Sequence, residues 1–90
     1  MIIGEHVYKK AMNTQKLLKL HEAAGAILLD VLEIMRTKRK LFDELTSDKI
    51  SEPRRGILQH RIKLLNLKQT DFENQYFDIS IKIMEVQNGN

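Results

Sequence analysis

The sequence predicts an all-α fold in which two long antiparallel helices form a coiled-coil-like hairpin, and it predicts that such hairpins assemble into a helical bundle. Apolar residues recur at alternating spacings of three and four along two long segments, the pattern of packed helices. A short polar stretch with the only proline separates the two segments. The 90 residues are 42% hydrophobic and 30% charged and include no cysteine, which suits a long-helix protein in a reducing compartment.

The N-terminal residues 1–12 are predicted to form an arm or a short helical turn. Asn13 and Thr14 are favourable helix-capping residues, and a helix that begins there matches the second helix in length. The open alternative is a helix that begins near Glu5 and extends about two turns beyond its partner. The segment has no basic stretch followed by an apolar stretch, so no secretory signal is expected and the predicted location is the cytoplasm.

The helical hairpin itself is predicted to cover residues 13–88, and its first helix covers about 14–45. The seam of this helix is interrupted only by Lys38, whose ammonium group we expect to extend past the edge of the seam. The apolar seam residues are Leu17, Leu20, Ala24, Ile27, Val31, Ile34, Leu41 and Leu45.

A linker is predicted over residues 46–53. Ser51 or Ser47 is the expected N-cap of the second helix. Pro53 suits the first turn because proline lacks an amide hydrogen, and amide hydrogens in the first turn have no acceptor within the helix. A linker of this length joins two antiparallel helices, although it is at the long end of the usual range.

The second helix is predicted over about 54–87. Gln69 is the only polar residue in its seam, and it either fixes the register or oligomeric state or is a tolerated break. In the hairpin, residue 24 is expected to lie level with about residue 75. That places the small residues 23–26 opposite bulky aromatic residues. The apolar seam residues are Leu58, Ile62, Leu65, Phe72, Tyr76, Ile79, Ile83 and Val86.

Both helices carry more large apolar residues than one seam requires. Burial of three such side chains contributes roughly 5–8 kcal/mol, which is comparable to the stability of a small domain. The chain is therefore expected to associate with itself or with a helix of a partner protein. The predicted interface residues are Phe77, Ile81 and Met84 on the second helix and Leu28, Leu32 and Met35 on the first.

The turn end of the hairpin is strongly basic. Residues 36–63 contain nine Lys and Arg side chains against four Asp and Glu, a net charge of +5. This cluster is a candidate patch for the phosphates of nucleic acid or for an acidic partner protein. A solvated helix face is the leading interpretation. The only aromatic residue near the charges that could stack on a base is Phe42, which belongs to the apolar row, and Arg39 and Lys40 precede acidic residues by four positions, a spacing that pairs charges along a helix. The candidate residues are Arg36, Arg39, Lys40, Arg54 and Arg55.

Neither a catalytic site nor a metal site is predicted. His6, His21 and His60 lack the spacing of metal ligands, and the four glycines are scattered rather than gathered in a phosphate-binding loop. No cofactor and no small-molecule substrate are expected. No apolar run approaches the ~18–20 residues that span a bilayer, so no membrane association is expected.

The function expected from these observations is non-catalytic. We predict a helical protein–protein interaction protein, such as an assembly factor, an adaptor or a small chaperone, that buries an apolar helix stripe against a partner or a second copy of itself. The alternative is a small nucleic-acid-associated regulator that uses the basic patch at the turn. Binding that weakens steeply with salt would distinguish the alternative.

Overall fold

The computed structural model of the protein describes the backbone of residues 2–89 and the side chains of residues 10–89. Helix α1 spans Ile2–Leu45 and helix α2 spans Glu52–Gly89, and the two pack antiparallel as a hairpin. The prediction of an all-α helical hairpin is confirmed. The second helix begins two residues before the predicted start, so the loop covers only residues 46–51.

The hairpin is a rod. Its extents are 74 × 14 × 13 Å and its radius of gyration is 20.9 Å, whereas a compact chain of this length has a radius of gyration of roughly 12 Å. Each helix therefore has one packed side and a large solvent-facing surface. The core is a single seam that runs along the rod.

Helix α1 begins earlier than the predicted boundary at residue 14. The Thr14 hydroxyl donates a hydrogen bond to the Lys10 carbonyl at 2.9 Å, a bond that forms within a continuing helix and not at a cap. Residues 2–12 are thus part of α1 rather than a separate arm, while Met1 lies outside the described residues. Residues 10–12 are exposed and Asn13 is the first half-buried side chain among those described. Contact with α2 therefore begins near Asn13, and the preceding part of α1 extends past the end of α2.

Ser51, one of the two predicted candidates, is the N-cap of α2. Its carbonyl accepts the first helical hydrogen bond from the Arg55 amide at 2.9 Å, and its hydroxyl accepts a long bond from the Arg54 amide at 3.4 Å. Pro53 lies in the first turn, where its missing amide hydrogen leaves no acceptor unpaired. The local sequence therefore determines where the chain reverses direction.

We expect Ser51→Ala to lower the free energy of unfolding by about 1 kcal/mol, because the cap loses its side-chain acceptor. Urea denaturation followed by circular dichroism measures the change. Ser47→Ala is the matched control, since the Ser47 hydroxyl accepts only a 3.4 Å bond from Lys49 within the loop. Equal losses in the two variants would contradict the assigned cap.

The predicted seams form the core. Every predicted apolar seam residue is buried or half-buried. Leu58 is 0% exposed and is the only large side chain among residues 10–89 that is fully buried. The buried residues are Ala24, Ile27, Ile34, Leu58 and Ile62.

The register of the hairpin differs from the predicted one. The Lys38 ammonium donates to the Asn66 side-chain oxygen at 2.9 Å, and Leu41 lines one hollow together with Leu65. Because both helices have the same rise of about 1.5 Å per residue, these pairs place Ala24 level with about residues 80–82 rather than 75. A methyl group added to Gly25 would meet nothing within 4 Å. The expectation that aromatic side chains fill the space beside Gly25 is therefore wrong.

We expect Gly25→Ala to raise the free energy of unfolding of the isolated hairpin by about 1 kcal/mol. Alanine restricts the unfolded chain and favours the helix, and the added methyl group meets no neighbour. Thermal denaturation at low micromolar concentration measures the effect. Gly56→Ala is the matched control, because Gly56 also faces open space in a helix and is expected to show a similar gain. A loss of stability confined to Gly25→Ala, at a concentration where the chain is monomeric, would contradict the open space beside Gly25 in the hairpin.

Candidate protein-interaction face

One side of the hairpin carries a row of large apolar side chains on each helix, and we call this side the apolar face. Residues seven apart in a packed helix lie on the same side, and residues three or four apart adjoin each other. Each side chain of the face is between 45% and 64% exposed. The face consists of Leu18, Leu28, Leu32, Met35 and Phe42 on α1 and Phe77 and Met84 on α2.

An open groove of about 450 Å³ lies between the helices on the apolar face. The seam residues Val31 and Tyr76 line it together with Leu28 and Met35 of α1 and Phe77 of α2. The structure therefore brings together residues that the sequence placed in two separate candidate interfaces. Phe77 of α2 lines the same groove as Leu28 and Met35 of α1, so the candidate interface residues of the two helices adjoin each other there.

Ile81 belongs to a different part of the surface. It is half-buried and lines a shallow hollow of about 530 Å³ near the end of α2, together with Met84, Glu85, Asn88 and Gly89. Met84 is seven residues from Phe77, so it continues the row of the apolar face toward that hollow. Five of the six predicted interface residues thus lie on one face, and Ile81 lies beside it.

Three polar residues of α2, Gln69, Glu73 and Ser80, line the groove. The sequence analysis identified Gln69 as a seam residue but did not identify Glu73 or Ser80. The Ser80 hydroxyl donates to the Tyr76 carbonyl at 2.9 Å, which satisfies it within the helix, and Glu73 lies on the same wall. The Gln69 side-chain oxygen is buried and accepts no hydrogen bond from the described part of the chain. The positions of Glu73 and Ser80, each four residues after a seam residue, are the signal that could have placed them there.

Two of the five candidate basic residues help to close the turn. Arg54 binds Glu44 through two hydrogen bonds, Nε to Oε1 at 2.9 Å and Nη2 to Oε2 at 3.1 Å. The hydrogen bond from Arg54, together with its charge, lowers the pKa of the Glu44 carboxyl below its usual range. Arg55 donates to the Leu45 carbonyl at 3.4 Å, one of the free acceptors at the end of α1.

The other three basic residues do not join this cluster. Arg36, Arg39 and Lys40 are exposed. The helical repeat of about 3.6 residues places Arg36 and Lys40 on the side of α1 that faces away from α2, whereas Arg39 is seven residues from Leu32 and lies in the α1 row of the apolar face. Glu44 pairs with Arg54 across the turn rather than with Lys40 along the helix. The five candidate residues therefore form no single patch.

Neither a metal site nor a membrane-spanning helix is found in the described part of the chain, and the comparisons with known proteins assign no family. Among the described side chains no three His, Cys, Asp or Glu gather as metal ligands, and no described helix is long and apolar enough to cross a membrane. No family model matches the sequence, and no similar curated protein or solved structure was found. The described surface offers a groove bordered by half-exposed apolar side chains.

Proposed function

We propose that this protein is a non-catalytic helical interaction protein, acting as an assembly factor, an adaptor or a small chaperone, and that it binds through the apolar face. The observation that supports this proposal is the gathering of large, half-exposed apolar side chains on one side of the hairpin, around the groove lined by Leu28, Met35 and Phe77. We place this activity in the cytoplasm, which a cysteine-free chain suits.

Burial of the apolar face is large enough to offset the cost of binding a helix. Complete burial of the remaining exposed area of the seven side chains of the apolar face contributes roughly 5–10 kcal/mol, because each is about half exposed and full burial of one contributes about 1.5–3 kcal/mol. This gain is of the same order as the loss of translational and rotational freedom on association. Met35 and Met84 are flexible, polarisable side chains that adapt to the contours of another helix.

The alternative, binding of nucleic acid through the basic turn, has less support. Arg54 and Arg55 are engaged at the end of α1. Arg36 and Lys40 face away from α2, and Arg39 lies among the apolar residues of the α1 row. Apolar docking is expected to persist at high salt, whereas phosphate binding weakens steeply with it.

The test is affinity purification of the tagged protein from its native cells. It compares wild type with the groove variant Leu28→Asp plus Phe77→Asp and with the control variant Leu29→Asp plus Leu67→Asp. Leu29 and Leu67 are 69% and 61% exposed but line neither the groove nor the rest of the apolar face. Quantitative mass spectrometry should show a partner, or a second copy of the chain, retained by wild type and control and reduced more than about tenfold in the groove variant.

Two results would count against the proposed function. The first is equal retention of every partner by the groove variant and the control. The second is a salt-sensitive complex with nucleic acid that is lost in Arg36→Glu plus Lys40→Glu and kept in the groove variant. Circular dichroism of each variant separates loss of binding from loss of helical structure.

A further inference from the structure

We propose that a second copy of this chain docks on the apolar face, with α1 packed antiparallel against α1 of the other copy and the two turns at opposite ends of a four-helix bundle. The two-fold axis lies midway between Leu28 and Leu32. This inference rests on the proposed function and names its partner.

The row of α1 has the same spacing when read in either direction, which a two-fold interface between identical surfaces requires. When the two-fold axis lies at position 30, Leu28 lies opposite Leu32 of the second copy, and Leu18 lies opposite Phe42 of the second copy. The polar interruptions His21 and Arg39 also lie opposite each other. The members of the row are Leu18, Gly25, Leu28, Leu32, Met35 and Phe42.

Gly25 acquires a packing role in this arrangement. The hairpin alone gives no reason for a glycine in the middle of α1, since a side chain there would meet nothing. In the two-fold arrangement Gly25 lies opposite Met35 of the second copy. A small residue facing a large one fills the space between two helices without a void.

The surface of the hairpin is large enough for such an interface. The chain exposes 7496 Å², whereas a compact monomer of its mass exposes roughly 5,400 Å². The excess of roughly 2,000 Å² exceeds the ~800 Å² that each partner contributes to a standard interface.

Charge favours turns at opposite ends. The segment 36–63 carries a net charge of +5 at the turn end of each hairpin. Two hairpins with their turns at the same end would bring these segments together, and like charges within about a Debye length repel. The antiparallel arrangement keeps them apart along the length of the rod.

One carboxylate opposes the arrangement and makes it testable. The two-fold axis is level with about residues 74–76 of α2, within one helical turn of Glu73, which lines the groove of the apolar face. The Glu73 carboxylates of the two copies therefore approach each other across the axis. Glu73→Gln is expected to tighten the dimer severalfold, whereas Asp71→Asn, a matched exposed position outside the groove, is expected to leave it unchanged.

The first measurement is sedimentation equilibrium of the purified chain over a concentration series at low and high salt. We expect a species of twice the 10.5 kDa chain mass that persists at high salt. Leu32→Glu is expected to raise the dissociation constant more than tenfold. Leu29→Glu, three residues away and outside the row, is expected to leave it near the wild-type value.

The second measurement is the orientation of the two copies. Ser47→Cys introduces the only cysteine of the chain at the turn, and a spin label attached there reports the distance between the turns. The antiparallel arrangement places the two labels about 50 Å apart, because 34 residues of helix at 1.5 Å each separate their levels along the rod.

Each contrary result has a distinct meaning. A wild-type monomer at every concentration overturns the self-docking inference, and the proposed function survives if the groove variant still loses a different partner. A label separation below about 25 Å overturns the antiparallel arrangement. A dimer that Leu32→Glu and Leu29→Glu weaken equally overturns the assignment of the face, provided that both variants keep wild-type helicity.

Discussion

Leu58→Ala is expected to lower the free energy of unfolding by about 3–5 kcal/mol, the largest effect of a single substitution in this hairpin. Leu58 is 0% exposed and lies less than two turns into α2, close to where the two helices join. Truncation leaves a cavity that neighbouring side chains fill only partly. Small domains are stable by only about 5–15 kcal/mol, and a hairpin with one thin seam lies at the low end of that range.

Urea denaturation of Leu58→Ala at a fixed protein concentration measures this loss. Leu67→Ala is the matched control in the same helix, because Leu67 is 61% exposed and its truncation removes little buried area. We expect the control to change the free energy of unfolding by about 0.5 kcal/mol or less. Similar losses in the two variants would contradict the position of the core.

Gln69→Leu is expected to raise the free energy of unfolding by about 1–3 kcal/mol, the largest gain that the structure predicts. The Gln69 oxygen is buried and has no hydrogen-bond donor among the described residues, so the native chain bears the cost of its desolvation. Leucine of similar size removes that cost and continues the apolar seam between Leu65 and Phe72.

The comparison for Gln69→Leu is Gln75→Leu, an exchange of the same residue types on an exposed part of the same helix. Thermal and urea denaturation should show a gain only for the seam position. A stability loss in Gln69→Leu would mean that Gln69 makes a hydrogen bond in solution that stabilises the fold. A gain accompanied by broader oligomeric states would assign Gln69 a role in specifying register.

The sequence was sufficient to predict the seams, because side chains that repeat at three and four residues can be buried together only on one side of a helix. It was also sufficient to place Pro53 in the first turn of α2 and to limit the N-cap to Ser47 or Ser51, because these preferences at a helix start are local. It was insufficient for the start of α1. Thr14 hydrogen-bonds equally well as a cap and within a helix, and the choice depends on whether the preceding residues are helical.

The candidate face was predicted only in part. Leu28, Met35 and Phe77 were identified as surplus apolar residues, but their meeting in one groove depends on the register between the helices. That register depends on the geometry of a loop that amino-acid preferences do not specify. The same dependence explains Arg54, whose pairing with Glu44 across the turn competes with the pairing along α1 that sequence spacing suggests.

The 74 Å length of the hairpin governs how it diffuses. Its radius of gyration of 20.9 Å equals that of a compact protein of roughly 370 residues. A monomer will therefore elute earlier from a gel-filtration column than a compact globular protein of the same 10.5 kDa mass. It will also tumble more slowly end over end than about its long axis, so its fluorescence anisotropy will decay on two time scales.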